Sequence, residues 1–125
     1  MKIISLLRCN NLKESVSFYT TVLDFSLKHP SESDDEWAIE IVNDDAEIIL
    51  ASKDGTPRIA IYVQVDDVDA LFNKYLDRGL IVPNNPESPV HNSPIDQTWG
   101  LREFYVNDPS GNTLRFATPI INTSF

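Results

Sequence analysis

Few residues in this chain have the type and spacing for bond-making chemistry. The two histidines, His29 and His91, lie far apart with no ligand-like spacing, and each reads as a solvated or hydrogen-bonded ring. His91 sits in a long polar loop and is the better candidate of the two. The lone cysteine, Cys9, excludes an internal disulfide and reads as a small buried apolar residue. No Gly-rich phosphate loop, no Gly-x-Ser-x-Gly elbow and no Cys/His motif occurs. Carboxylates are plentiful, but order alone does not pair them into an acid/base couple. What remains is recognition chemistry. Trp99-Gly100-Leu101-Arg102-Glu103-Phe104 sets an indole beside a cation and an anion, and Trp37 and Tyr62 add further rings. Flat rings stack planar or cationic ligands.

The elements that must position these residues read most clearly near the end of the chain. Leu101 to Asn107 mixes aromatic and β-branched residues with polar ones in rough alternation, as a half-buried strand does. Asp108-Pro109-Ser110-Gly111 breaks it, with proline pre-setting φ and glycine supplying a left-handed residue. Thr113 to Thr118 is a second alternating strand, with Leu114 and Phe116 on one face and Thr113, Arg115 and Ala117 on the other. One face must cover a core, and the other is free to line a site.

The earlier chain supplies two similar runs. Ile3 to Arg8 reads as a strand rather than a leader peptide. Asn11, with Glu14 three residues on, has the spacing of a capping box. Leu12, Val16, Tyr19 and Leu23 then recur at helical spacing. Phe25 to His29 reads as a short strand, 30–36 as a polar loop, and Trp37–Asn43 with Ala46–Ala51 as a hairpin around Asp44-Asp45. After a linker at 53–57 the pattern restarts. Arg58 to Val65 is a strand, and Asp66 or Asp67 caps a helix whose apolar face is Val68, Leu71, Phe72, Tyr75 and Leu76. Gly79 stops that helix, Leu80 to Val82 is a short strand, and Asn84 to Gln97 is a proline-containing loop. Leu12 and Val68 stand 56 positions apart, as do Tyr19 and Tyr75. The expected fold is therefore α+β: one domain, 1–125, of two βαβββ modules, 1–53 and 57–120. Two such sheets pairing across a pseudo-two-fold make a curled cup, and a concavity is a default ligand site.

Trp99-Gly-Leu-Arg-Glu-Phe followed by Asp108-Pro-Ser-Gly-Asn-Thr-Leu-Arg-Phe116 closely resembles the C-terminal signature of bleomycin resistance proteins. These belong to the glyoxalase/bleomycin resistance/extradiol dioxygenase (vicinal-oxygen-chelate) superfamily. Ser-Phe-Tyr at 17–19 resembles that group's first helix. The resemblance implies a homodimer that holds a bleomycin-like, partly aromatic or cationic antibiotic and does no chemistry on it. It also implies where metal-using relatives place their ligands. Those positions carry Ile4, Ile49 (or, one register away, Glu47), Ala60 and Arg115. Two alkyl groups, a methyl and a guanidinium cannot ligate a divalent cation. No metal, no cofactor and no catalytic residue are therefore expected. The candidate ligand-binding residues are Tyr62, Trp99, Trp37, Glu47, Gln64, Arg115 and Arg102. Arg102 and Glu103 are also candidates to pair across the hairpin or a subunit seam, and Arg115 weighs against a strongly cationic ligand unless an acidic neighbour neutralises it. The rival classes are a metal-dependent lyase, isomerase or dioxygenase of the same superfamily, and a small-molecule sensor.

Charge and hydropathy narrow the partners. With 19 Asp and Glu against 10 Lys and Arg, the net charge is −9, so neither nucleic acid nor an anionic membrane is an expected partner. No apolar run approaches the ~20 residues of a membrane span. A single cysteine fits a reducing cytoplasm.

Overall fold

The computed structural model describes residues 1–30 and 37–120. Both helices begin where local capping chemistry directs. Asn11 is extended (φ −138°, ψ 108°), and its Oδ1 accepts the Glu14 N–H at 2.9 Å, opening α1, Leu12–Thr21. Asp67 plays the same part for α2, Val68–Asp77, accepting the Ala70 N–H at 3.1 Å. Gly79, at φ +98°, follows the end of α2 in the left-handed conformation that suits glycine.

Among the described residues, eight strands form two four-stranded mixed sheets, each belonging to a βαβββ run. The first sheet holds β1 (Ser5–Arg8), β2 (Ser26–Leu27), β3 (Ala38–Asn43) and β4 (Ala46–Ala51), in the order β1-β4-β3-β2. The β1–β4 pair is parallel, and the hairpin β3–β4 is antiparallel with Asn43 opposite Ala46. Asp44 turns that hairpin at φ 50°, a conformation that aspartate tolerates. Leu7, Ile39, Ile41, Ile48 and Leu50 lie in register on one face and are buried. Alternation puts Leu6, Arg8, Glu40, Glu47 and Ile49 on the other. The polar stretch expected at 30–36 lies outside the described residues from 31 on.

The second sheet holds β5 (Ala60–Gln64), β6 (Ile95–Asp96), β7 (Leu101–Asn107) and β8 (Thr113–Pro119), in the order β5-β8-β7-β6. Helix α2 covers one face. Tyr75 meets Phe104 and Phe116 edge-on, Phe72 meets Phe104, and the Phe104 and Phe116 rings stack at 5.0 Å. Two expectations are corrected here. Leu80 to Val82 forms no strand, Ile81 is exposed, and the sheet's fourth strand is Ile95–Asp96. A tight reversal decides this: Gln97 N–H bonds Leu101 O and Gly100 N–H bonds Gln97 O, which lays 95–96 against Arg102 and Glu103. The strand expected from Arg58 begins at Ala60, because Arg58 has φ 60° and the Ile59 N–H is held by the Asn112 side chain.

The chain divides into two compact units, one of 1–59 with 107–112 and one of 60–106 with the chain from Thr113 on. Within the first, the Asp108–Asn112 turn is a clasp. The buried Asp108 carboxylate accepts the Ser110 and Asn112 N–H groups (2.9 Å each) on Oδ1, and the Tyr19 hydroxyl (2.8 Å) and Asn112 Nδ2 (3.0 Å) on Oδ2. Asn112 Nδ2 also donates to Arg8 O, and Ser110 Oγ accepts the Asn10 N–H. Gly111, at φ +87°, lets the turn close.

Candidate functional site

The face of the second sheet away from α2 carries a group of chemically capable side chains in mutual contact. The register sets Tyr62 opposite Arg115 on parallel neighbours β5 and β8, with Ala60 and Gln64 on the same face. Alternation in β7 turns Phe104 toward α2 and therefore Glu103 and Tyr105 toward this face. Glu103 is fully buried, and its carboxylate collects donors from two directions. Trp99 Nε1 donates to Oε2 at 2.5 Å, while the Tyr62 hydroxyl reaches Oε1 at 3.2 Å and Oε2 at 3.4 Å. The anion thereby fixes two rings that remain half exposed, Trp99 at 53% and Tyr62 at 49%.

Arg115 lies between two aromatic faces. Its guanidinium carbon is 4.9 Å from the Tyr62 centroid and 4.3 Å from that of Tyr105, and Nη2 donates to the Tyr105 hydroxyl. His91, in the 3₁₀ turn Pro89–His91, meets Tyr105 edge-on at 5.6 Å. Burial first, and the Glu103 carboxylate after it, push the Tyr105 hydroxyl up to about 12, against the downward pull of Arg115. In the first unit, burial and then the Asp108 charge push Tyr19 further in the same direction.

Both shifts carry a testable sign. The folded phenols hold their protons above the ordinary value of 10.0, so the stability they contribute is intact below about pH 10. It is lost as pH rises above 10, through about 12 for Tyr105. Melting temperature is expected to fall over that window. Absorbance at 295 nm is expected to show late-titrating phenols that Tyr19→Phe and Tyr105→Phe each remove. Ordinary titration of both near pH 10 would contradict this.

Of the candidate residues, Tyr62, Trp99 and Arg115 come together here, and Gln64 shares their face at the end of β5. Trp37 and Glu47 belong to the first unit. Trp37 is half exposed just before β3, and its carbonyl accepts Ser52 N–H and Oγ. Glu47 is held between Lys2 (2.9 Å) and Lys28 (3.0 Å), which lower its pKa. Arg102 and Glu103 are adjacent on β7 and point to opposite faces, so within one chain each has its own partners. Arg102 binds Asp69 on α2 through Nε and Nη2 (2.9 and 3.0 Å) and Asp96 through Nη1 (3.1 Å). These partners are exposed, so Arg102→Ala is expected to lower stability by about 1 kcal/mol at most, less in high salt, as chemical denaturation will show. Tyr105 is the member of the cluster that the sequence reading passed over, although its i+2 relation to Glu103 is the signal that finds it.

A family model described as Glyoxalase/Bleomycin resistance protein/Dioxygenase superfamily matches residues 3–116. The chain belongs to this superfamily. Solved structures share its fold at low identity. TioX from Micromonospora sp. ML1 superposes with a TM-score of 0.75 at 18% identity, over 96% of this chain and 99% of that one. A bleomycin resistance determinant encoded on the transposon Tn5 gives 0.74 at 14% identity, over 95% and 98%. TnmS3, an antibiotic binding protein from Streptomyces sp. CB03234, gives 0.72 at 19% identity, over 95% of each. No curated protein matches the chain.

Within the superfamily, the donor set decides whether this member suits a metal. In the first unit, Ile4 and Ile49 offer only alkyl carbon, and Glu47 is engaged by two lysines. In the second, Ala60 offers a methyl group and Arg115 a permanent cation without a lone pair. Such residues do not fit a divalent ion. Among the described residues, no three His, Cys, Asp or Glu side chains converge elsewhere. No helix among them is long and apolar enough to cross a membrane.

Proposed function

We propose that this superfamily member is a container: it binds and sequesters an antibiotic-like, partly aromatic small molecule and does not convert it. One observation carries the reading. On the open face of the second sheet, a buried carboxylate spends its lone pairs holding the rings of Trp99 and Tyr62 in place while their surfaces stay half exposed. Rings fixed before the ligand arrives give contact area at low entropic cost. The Glu103 carboxylate of that face is buried and engaged by the two rings. Arg115 is a poor general base, because it stays protonated. The antibiotic-binding relatives support the same reading, as does the family-implied setting of a cytoplasmic homodimer, which sedimentation of the purified protein tests.

Calorimetric titration with bleomycin, phleomycin and a panel of other planar antibiotics tests the role. At least one compound is expected to bind well below 1 mM, and Trp99→Ala is expected to weaken it about tenfold, ~1.4 kcal/mol. If every affinity were weaker than about 1 mM, near −4 kcal/mol, sequestration would no longer be credible.

A further inference from the structure

Resting on the binding role proposed above, we infer that the ligand of the second sheet's open face is a planar aromatic anion. Its carboxylate, phenolate or enolate pairs with the Arg115 guanidinium, and its ring lies against Trp99 and Tyr62. Two charged groups define that face, and they stand in different states. Glu103 is fully buried, with its oxygens taken by Trp99 Nε1 and the Tyr62 hydroxyl. Fully buried, it presents no surface to a ligand's ammonium group. Arg115 is only part-buried, and among the described residues no carboxylate lies within ion-pair distance of it. Arg8, on the open face of the first sheet, likewise has no carboxylate within that distance among the described residues and donates to the Lys53 carbonyl at 2.9 Å; Arg115 differs in lying between two tyrosine rings. Arg102, thirteen residues earlier, shows the other outcome: two aspartates hold it.

Aromatic rings do not replace the missing anion. Tyr62 and Tyr105 address the guanidinium through ring faces at 4.9 and 4.3 Å, and the Tyr105 hydroxyl accepts from Nη2. A guanidinium carries five N–H donors in a planar fork, so most of its edge stays available for a bidentate oxyanion. Held by the rings, the fork loses little freedom on binding. The net charge of −9 repels an anion at long range, but that field is screened within about 8 Å at physiological salt. Local pairing at Arg115 therefore sets the preference.

Three naphthalene probes of one shape test this by calorimetry: 2-naphthoate, neutral 2-naphthamide and cationic 2-naphthylmethylamine. The carboxylate is expected to bind at least about tenfold tighter than the other two, a difference of ~1.4 kcal/mol. Arg115→Gln is expected to bring naphthoate down to the affinity of naphthamide in the same variant, with circular dichroism showing that the variant is folded. Arg115→Lys keeps the charge but not the fork, and should retain part of the preference. Equal or tighter binding of the amine overturns the anionic assignment and leaves the binding role standing. So does an Arg115→Gln protein that holds naphthoate as well as the parent. If none of the three binds, the anionic assignment falls, and the binding role is decided by the antibiotic titration.

Discussion

Asp108→Ala is expected to lower the unfolding free energy by about 3 kcal/mol or more, and the melting temperature by roughly 10 °C, in a protein of this size. Asp108 is buried and accepts four hydrogen bonds inside the first unit. Alanine leaves the Ser110 and Asn112 N–H groups and the Tyr19 hydroxyl without that acceptor. Each stranded buried donor costs about 1–3 kcal/mol, less where water or a shifted turn reaches it. Asp108→Asn keeps the shape and one acceptor oxygen, so the backbone bonds on Oδ1 survive. Its amide then faces Asn112 Nδ2, a donor against a donor, and the loss should be smaller than for alanine. Tyr19→Phe removes one bond and no backbone partner, for about 1 kcal/mol. The double variant should lose less than the sum, since the two side chains share a bond. Urea denaturation followed by circular dichroism measures all four proteins. An Asp108→Ala loss within 1 kcal/mol would show that the turn is not a clasp.

That clasp also explains which parts of the fold were legible in the sequence. Asn11, Asp67 and Gly79 act on backbone groups within a few residues of themselves, so their helix ends can be read directly. The hairpin at Asp44 and the turn at Gly111 are local in the same way. Strand pairing is not local. Leu80 to Val82 has the composition of a strand, yet the edge beside β7 is taken by Ile95–Asp96, placed there by the reversal at 97–101. Arg58 looks like the start of β5 until the Asn112 side chain, far away in sequence, captures the Ile59 N–H.

The candidate site divides along the same line. Period-two alternation assigns Tyr62 and Arg115 each a face of its own strand, and the parallel register makes the two faces one and sets the residues side by side. Alternation also sends Arg102 and Glu103 to opposite faces and puts Tyr105 beside Glu103. The fold of Trp99 back onto Glu103 depends on Gly100, at φ +87°, and on Ile120 N–H bonding the Gly100 carbonyl. No pattern of residue types announces that return.

Glu103→Ala carries the largest effect expected on binding: a loss of about 10- to 100-fold for the planar ligand, ~1.4–2.7 kcal/mol, with the fold retained. Glu103 makes no contact with the ligand in this scheme. It is a positioning residue, and its work is done through the Trp99 N–H and the Tyr62 hydroxyl. Without the carboxylate the indole loses the hydrogen bond from its N–H, and a ligand must then order it on arrival, at about 0.5–1.5 kcal/mol for each side chain so immobilised. Glu103→Gln retains one acceptor oxygen and should keep an intermediate affinity. A purely structural role would lower stability and leave Trp99 unmoved in the folded protein. Fluorescence anisotropy of Trp99 in a Trp37→Phe background separates the two, because the positioning role requires faster indole motion in Glu103→Ala under conditions where circular dichroism shows a native fold. If that variant holds the ligand as tightly as its parent, the rings do not need their anchor, and the preorganised face is not what makes this chain a binder.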